Sequence, residues 1–216
     1  ISAESGIRTF RAADGLWEEH RVEDVATPEG FDRDPELVQT FYNARRRQLQ
    51  QPEIQPNAAH LALAKLQDAL GDRFLLVTQN IDNLHQMAGS KKVLELHGSV
   101  YRNYCMKCHR FYDFAHMKAS TGVPRCECGG IIKPDVVLYE EGLDNQTINE
   151  AVKAISEAQV LIIGGTSLAV YPAAGLIDYF RGEHLVVINK SPTPRDRYAD
   201  LLIQEPIGQV FAQIHC

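Results

Sequence analysis

Phe74-Leu75-Leu76-Val77-Thr78-Gln79-Asn80-Ile81-Asp82 places a short, nearly continuous apolar run directly before a cluster of amide and carboxylate groups. Such a run suits a parallel strand buried on both faces. The polar cluster then falls at the strand's carboxyl end, where open parallel sheets hold their ligands. The same pattern recurs along the chain. Val93-Leu94-Glu95-Leu96 precedes His97-Gly98, Val160-Leu161-Ile162-Ile163 precedes Gly164-Gly165-Thr166-Ser167, and Leu185-Val186-Val187-Ile188 precedes Asn189.

Helical patterns lie between these runs. Asp34-Pro35-Glu36 supplies a capping carboxylate, a proline at the first helical position and an acid at the positive end of the dipole, and predicts a helix to about Gln50. A second helix starts near Pro56, carries Ala59, Ala62, Leu63, Leu66 and Leu70 on one face, and stops at Gly71. Residues 147–158, 172–181 and the segment after a last strand at Leu201-Leu202-Ile203 also read as helices. Strands alternating with helices predict an α/β fold with a doubly wound parallel (Rossmann-like) sheet. Residues 1–33 read as loop-rich, and residues 99–133 as an irregular, cysteine-bearing insert. The expected division is a cofactor-binding domain over 1–98 and 134–216 and a small metal-binding lobe over 99–133, with residues 20–55 adding a helical part to the small lobe.

The 216 residues, 44% of them hydrophobic, suffice for one sizeable core and a satellite lobe. A formal net charge of -6 argues against a nucleic-acid footprint, which needs a basic face. The chain shows no membrane-length apolar run and no signal-peptide pattern at Ile1-Ser2-Ala3-Glu4-Ser5, so a cytosolic protein is expected.

Cys105, Cys108, Cys126 and Cys128 have the form C-x2-C-x17-C-x-C. Four thiolates so spaced can close a tetrahedral structural zinc site, with no open position for catalysis. His97 can take a proton near neutral pH, and Gly98 permits close approach, but a lone His-Gly reads sooner as a satisfied structural histidine. Gln79, Asn80 and Asp82 could hold ribose hydroxyls or a carboxamide, or could simply cap a turn. Gly164-Gly165-Thr166-Ser167 offers close backbone approach and hydroxyls for phosphate, without the G-x-G-x-x-G spacing. Tyr42 and Arg45 share a helix face with Val38, Phe41 and Leu49. From the residues alone, Arg45-Arg46-Arg47 reads as a solvated helix turn.

Taken in order, these motifs resemble the sirtuins, NAD-dependent protein deacylases. Ser2-Ala3-Glu4-Ser5-Gly6-Ile7-x-Thr9-Phe10-Arg11 resembles their cofactor loop, Pro56-Asn57-x-Ala59-His60 a helix signature, and Thr78-Gln79-Asn80-Ile81-Asp82 with Leu96-His97-Gly98 the catalytic core. Gly165-Thr166-Ser167-Leu168-x-Val170-x-Pro172-Ala173-Ala174 resembles the second cofactor segment. To about residue 85 the likeness is to the bacterial CobB type, and beyond it to another bacterial branch.

The resemblance implies NAD as cofactor, structural Zn2+, and acylated lysine-containing proteins as partners. It implies that the acyl amide oxygen attacks the nicotinamide ribose and that His97 acts as general base. Nicotinamide, free lysine and O-acyl-ADP-ribose result. Asn80, with Gln79, would orient ribose and water, Ile81 would belong to the same cofactor site and Asp82 would hold the carboxamide. Ala3, Phe10 and Arg11 would line the cofactor loop. Gly165, Thr166, Ser167, Asn189, Lys190 and Ile207 would hold phosphates and adenosine. Val136, Val137 and Tyr139 would meet the substrate backbone. Tyr42 and Arg45, with room left by Ala26, match the members that remove succinyl and malonyl groups, and Arg45 would serve those acidic groups and not acetyl.

The strand and Gly-Ala-Gly that precede the cofactor loop in the family are absent from a chain starting at Ile1. The resemblance therefore implies a shortened start and a parallel sheet lacking a central strand. Arg8 stands where the family often has proline, and Glu140 where it commonly has glycine. Alternative readings are mono-ADP-ribosyl transfer or NAD hydrolysis at the same site, an inactive NAD- or acyl-peptide-binding module, and a zinc-ribbon nucleic-acid binder, which the charge disfavours.

Overall fold

The computed structural model describes residues 1–10 and 15–214. Its elements are α1 (Val22–Val25), α2 (Pro28–Arg33), α3 (Pro35–Leu49), α4 (Ala58–Leu70), β1 (Leu76–Thr78), α5 (Leu84–Met87), β2 (Val93–Glu95), β3 (Gly98–Cys105), β4 (Phe111–Tyr112), α6 (Phe114–Ala119), β5 (Ile132–Val136), α7 (Asn145–Glu157), β6 (Val160–Gly164), β7 (His184–Ile188), β8 (Leu201–Ile203) and α8 (Ile207–Phe211).

The parallel strands stand in two pieces, β1-β2 and β6-β7-β8. Both pieces share the same covering layers. On one face Leu76 of β1 and Val186 and Ile188 of β7 pack with Ala59, Ala62 and Leu63 of α4 and Phe211 of α8. On the other, Val77, Leu94 and Leu161 pack with Ala151 and Ile155 of α7 and with Ala173 and Leu176. Neighbours such as Leu76 and Val77 thus point to opposite faces, and both faces are apolar because helices cover both. Ile1 packs at the seam between the pieces.

Helix ends follow the local chemistry read above. The Asp34 carboxylate accepts the Leu37 N–H, the Asn57 amide oxygen accepts the N–H groups of Ala59 and His60, and Gly71 closes α4 at φ 57°. Residues 172–181 are 3-10 rather than α-helical over Ala173–Tyr179. The described residues before Asp34 hold more regular structure than their glycines and prolines suggest. Thr27 caps α2 by accepting the Gly30 N–H, and Gly30 lets α2 press on α1: an added Cβ would lie 2.4 Å from the Glu23 carbonyl oxygen.

The 99–133 segment is also regular. β3 pairs antiparallel with both β4 and β5, with an irregularity between Ser99 and Asn103. Its polar side chains sit beside a metal-type cluster and a small core of Cys105, Met117, Cys126 and Ile132, which is why hydrophobic alternation is faint there. A larger core joins α1–α3 to Ile81, Leu84, Val100 and Val136. Burial of each of Val38, Phe41 and Leu49 there contributes roughly 1.5–3 kcal/mol. No helix among the described residues is long and apolar enough to cross a membrane.

Two buried imidazoles underlie the seam. His60 and His85 have ring centroids 4.8 Å apart, and His60 Nδ1 accepts the Asn57 N–H. Burial pushes the pKa of His60 down to about 3, with His85 adding to the effect; burial pushes His85 down to about 4, with Asp82 opposing. The unfolded chain takes up these protons near the ordinary histidine value of about 6.5, so folding is disfavoured as pH falls from there toward 4. The unfolding free energy from denaturant titration should fall steadily below pH 6.5, with these two protons contributing at most roughly 2.7 kcal/mol per pH unit, and less steeply in His85→Leu. A flat profile from pH 7 to 5 would contradict this.

Candidate active site

The carboxyl ends of β1 and β2 bring Gln79 and His97 together. After β1 the chain turns through Gln79-Asn80-Ile81-Asp82. The His97 ring, just past β2, lies with Nδ1 3.0 Å from the Gln79 carbonyl oxygen. A carbonyl only accepts, so Nδ1 carries the proton and the neutral ring keeps its basic lone pair on Nε2. His97 is half-buried. Its own carbonyl accepts the Val137 N–H at 3.1 Å. Gly98 has φ 73°, and a Cβ there would lie 1.9 Å from the Asp135 carbonyl oxygen. The close approach foreseen at this glycine is thus made by strand β5.

Asn80 donates from Nδ2 to Ser2 Oγ at 2.7 Å, joining the tip of β1 to the 3-10 turn Ser2–Ser5. Asn57 donates to the Ile1 carbonyl and to Ser5 Oγ, both at 3.0 Å. Ser2 and Asn57 belong to quoted motifs, yet only the structure shows them as partners of Asn80 and of the Ser2–Ser5 turn. Ala3 is exposed on that turn. Ile81 is buried in the larger core, and buried Asp82 accepts the Leu84 N–H at 3.1 Å. Phe10 stacks obliquely on Trp17 with centroids 5.0 Å apart. Arg11 lies outside the described residues.

At the second piece of sheet, Gly165 has φ 62° and its N–H donates to the Ile188 carbonyl, linking the ends of β6 and β7. Thr166 Oγ1 accepts the Leu168 N–H, and Asn189 Nδ2 donates to the Ser191 carbonyl. Ser167 and Lys190 are exposed. Ile207 packs against Gly164, where a Cβ would lie 2.3 Å from Ile207 Cδ1. Amide, hydroxyl and ammonium donors around glycines at strand ends are a donor set suited to ribose and phosphate oxygens.

The helix α3 departs from the reading of a solvated arginine turn. Arg47 is exposed, but Arg45 and Arg46 are 7% and 2% exposed. They turn inward because the same helix face carries Val38, Phe41, Tyr42 and Leu49 into the core. Arg46 donates to Asn43 Oδ1 at 2.9 Å and to Asn103 Oδ1 of β3 at 2.7 Å, and Gln39 donates to the Ile132 carbonyl of β5 at 2.8 Å. Neither arginine has a carboxylate within ion-pair distance among the described residues. Burial lowers both guanidinium pKa values to about 10, opposed at Arg45 by the charge of Asp82 and at Arg46 by Tyr42. Burial also raises the phenol of Tyr42. Ala26 is buried and its carbonyl accepts the Tyr139 N–H at 2.8 Å, so the strip Val136-Val137-Leu138-Tyr139 runs between His97 and α1. Glu140, next along, holds φ 71°, a left-handed conformation that explains why glycine suits the position.

The sulfurs of Cys105, Cys108, Cys126 and Cys128 all lie within 4.8 Å of one another, with Cys105–Cys128 and Cys108–Cys126 at 3.5 Å. Around a tetrahedral zinc with Zn–S of 2.3 Å the sulfurs would stand about 3.8 Å apart, so the set fits. Gly129 and Gly130 close the tight C-x-C pair: the Cys126 N–H reaches the Gly130 carbonyl at 2.8 Å, and a Cβ on Gly130 would lie 2.6 Å from Cys105 Sγ.

The Sir2 family pattern matches residues 1–172. The chain belongs to the Sir2 family. It is 56% identical over 222 residues to an NAD-dependent protein deacetylase of Clostridium perfringens (strain 13 / Type A), spanning 99% of this chain and 89% of the relative. It is 60% identical over 201 residues to an NAD-dependent protein deacylase of Escherichia coli O6:H1, spanning 89% of this chain and 71% of the relative. A solved Sir2 homologue in complex with NAD superposes with TM-score 0.89 at 38% identity, covering 99% of this chain and 83% of that one. A Sir2 structure containing an inhibitor, 2′-O-acetyl-ADP-ribose and a deacetylated peptide superposes with TM-score 0.85 at 36% identity, covering 98% and 86%. The Sir2 fold, with its parallel strands flanked by helices and its four-cysteine cluster, is therefore the fold of this chain.

Metal analysis of the purified protein should return about one zinc per chain, and Cys126→Ser should lose the metal together with thermal stability. A zinc-free chain with an unchanged Tm would contradict the structural role of the cluster.

Proposed function

We propose that this chain is a protein-lysine deacylase whose site accepts acetyl and short acidic acyl groups, succinyl and malonyl. That it is an enzyme of the NAD-dependent protein deacylase type follows from its family. The observation that carries the catalytic assignment is the His97–Gln79 hydrogen bond, which presents a basic Nε2 at the mouth of the parallel strands. When bound, NAD would supply the ribose that accepts the acyl group as nicotinamide leaves, and with one water consumed the products are nicotinamide, O-acyl-ADP-ribose and the free lysine.

The residues then have distinct tasks. His97 takes a ribose hydroxyl proton at Nε2, and the Gln79 carbonyl steadies the imidazolium that results. Asn80 donates one amide hydrogen to Ser2, and its Oδ1 orients a hydroxyl or water. Ile81 and Asp82 shape the carboxamide end. Ala3, Phe10 and Arg11 line the cofactor segment, and Gly165, Thr166, Ser167, Asn189, Lys190 and Ile207 hold the phosphates and adenosine. Val136, Val137 and Tyr139 flank the substrate backbone, held firm by the bonds to His97 and Ala26. Tyr42 and Arg45 receive the distal carboxylate of an acidic acyl group in the room left by Ala26. A buried guanidinium with no carboxylate at ion-pair distance among the described residues supports that role. Zn2+ on the four cysteines staples the 99–133 lobe and takes no part in the reaction.

We assign residues 1–98 and 134–216 to the cofactor domain and 99–133 to the zinc lobe, with 20–55 as its helical part. The bonds from Gln39 to the Ile132 carbonyl and from Arg46 to Asn103 support placing that helical part with the lobe. A cytoplasmic location agrees with four reduced, metal-type cysteines.

Matched acetyl- and succinyl-lysine peptides incubated with the chain and NAD should both lose their acyl group by mass spectrometry. The His97→Tyr variant should fall at least a hundredfold on both. A peptide that gains ADP-ribose, or NAD consumed with the peptide unchanged, would overturn the deacylase reading in favour of transfer or hydrolysis. NAD binding without turnover would reduce the chain to a binding module.

A further inference from the structure

Arg45 makes contacts that an acyl-reading side chain alone does not need. Its Nη1 donates to the backbone carbonyl of Arg8 at 2.9 Å and to Gln48 Oε1 at 2.9 Å. Its guanidinium carbon lies 5.1 Å from the centroid of the Phe10 ring. Gln48 in turn reaches the Gly6 carbonyl at 3.5 Å, a weak contact that lies on the same segment. Residues 6–10 are thereby held to α3 from two sides: Ile7, 3% exposed, is anchored in the core beside Phe41, Tyr42 and Leu49, and Arg8 and Phe10 are held by Arg45.

The bonds are unevenly distributed over the guanidinium. Nη1 makes both, while Nε is buried with no partner among the described residues. A guanidinium offers five donors on a rigid plane, so one edge can serve a backbone carbonyl while another meets a carboxylate side-on. A lysine or methionine could not do both.

We propose that Arg45 is the positioning residue of the cofactor segment: one guanidinium closes residues 6–10 through its Nη1 and reads the acyl terminus through its Nε edge. Both halves rest on the function proposed above: the acyl half on the pocket for acidic groups, the cofactor half on residues 6–10 belonging to the cofactor site, to which the contacts with Arg8 and Phe10 tie Arg45. The cofactor half goes beyond the sequence reading in which Arg45 serves only acidic acyl groups. Loss of the guanidinium therefore weakens the cofactor site even when the substrate carries a plain acetyl group.

The test is calorimetric NAD affinity without any peptide, for the wild-type chain, Arg45→Met and Gln48→Ala, each checked for native Tm. One lost hydrogen bond to a charged group should raise the Kd for NAD about three- to tenfold in Arg45→Met, and by a smaller factor in Gln48→Ala. Unchanged affinity in a folded Arg45→Met would overturn the proposal. Should Arg45→Met not fold, the half-buried Gln48 variant decides it: unchanged affinity there overturns it and weakened affinity supports it. Gln48→Glu gives the second readout. Its carboxylate would sit at Nη1 and compete for the charge of Arg45, so KM for the succinyl peptide should rise several-fold while KM for the acetyl peptide holds. Equal losses on both peptides would contradict a guanidinium that reads the acyl terminus. Wild-type protein with no activity on the succinyl peptide would defeat the acyl assignment, and the NAD affinities would still decide the cofactor half.

Discussion

A single hydrogen bond between strand ends, from His97 Nδ1 to the Gln79 carbonyl, fixes the chemistry of the site. It exists because β1 and β2 run parallel with Leu76 opposite Val93, which delivers both turns to the same edge of the sheet. The Gly98 turn then lets β5 come close, so that His97 is held through its ring by the Gln79 carbonyl and through its backbone by the Val137 N–H. A neutral imidazole so held is a base at one defined atom, and the same carbonyl favours the cation that forms when the proton arrives.

The second constraint is the helix α3, whose inward face mixes large apolar side chains with Gln39, Arg45 and Arg46. Buried charge is costly unless it is bonded, and here the bonds run to three different places. Gln39 and Arg46 fasten the helix to β5 and β3, next to the cysteine cluster, and Arg45 fastens it to residues 8–10. The cysteine-bearing sheet and residues 8–10 are thus tied to one helix.

Much of this was legible in the chain. Apolar runs ending in polar clusters located the parallel strands, because helices on both faces leave no polar face to interrupt them. The caps at Asp34 and Gly71 were visible because their chemistry is local, whereas the start read near Pro56 proved to be capped by Asn57. The burial of Arg46 was not, since three consecutive arginines look solvated until the partner Asn103, far along the chain, is in place. The strands of the 99–133 segment were hidden for a related reason: their packing is against cysteine sulfur and a small core, so alternation is weak. The helix at residues 28–33 was masked by Pro28 and Gly30, residues that usually mark loops but here start a helix and permit a close helix contact. Partners such as Ser2 for Asn80 depend on long-range placement and carry no local signal.

The most direct test of the central claim is the protonation pattern of the His97 ring, read by nitrogen-15 NMR of histidine-labelled protein with His97→Gln for assignment. The account predicts a neutral ring at pH 7.5 with the proton on Nδ1 and an unprotonated Nε2. A ring protonated on Nε2, or doubly protonated at that pH, would contradict it.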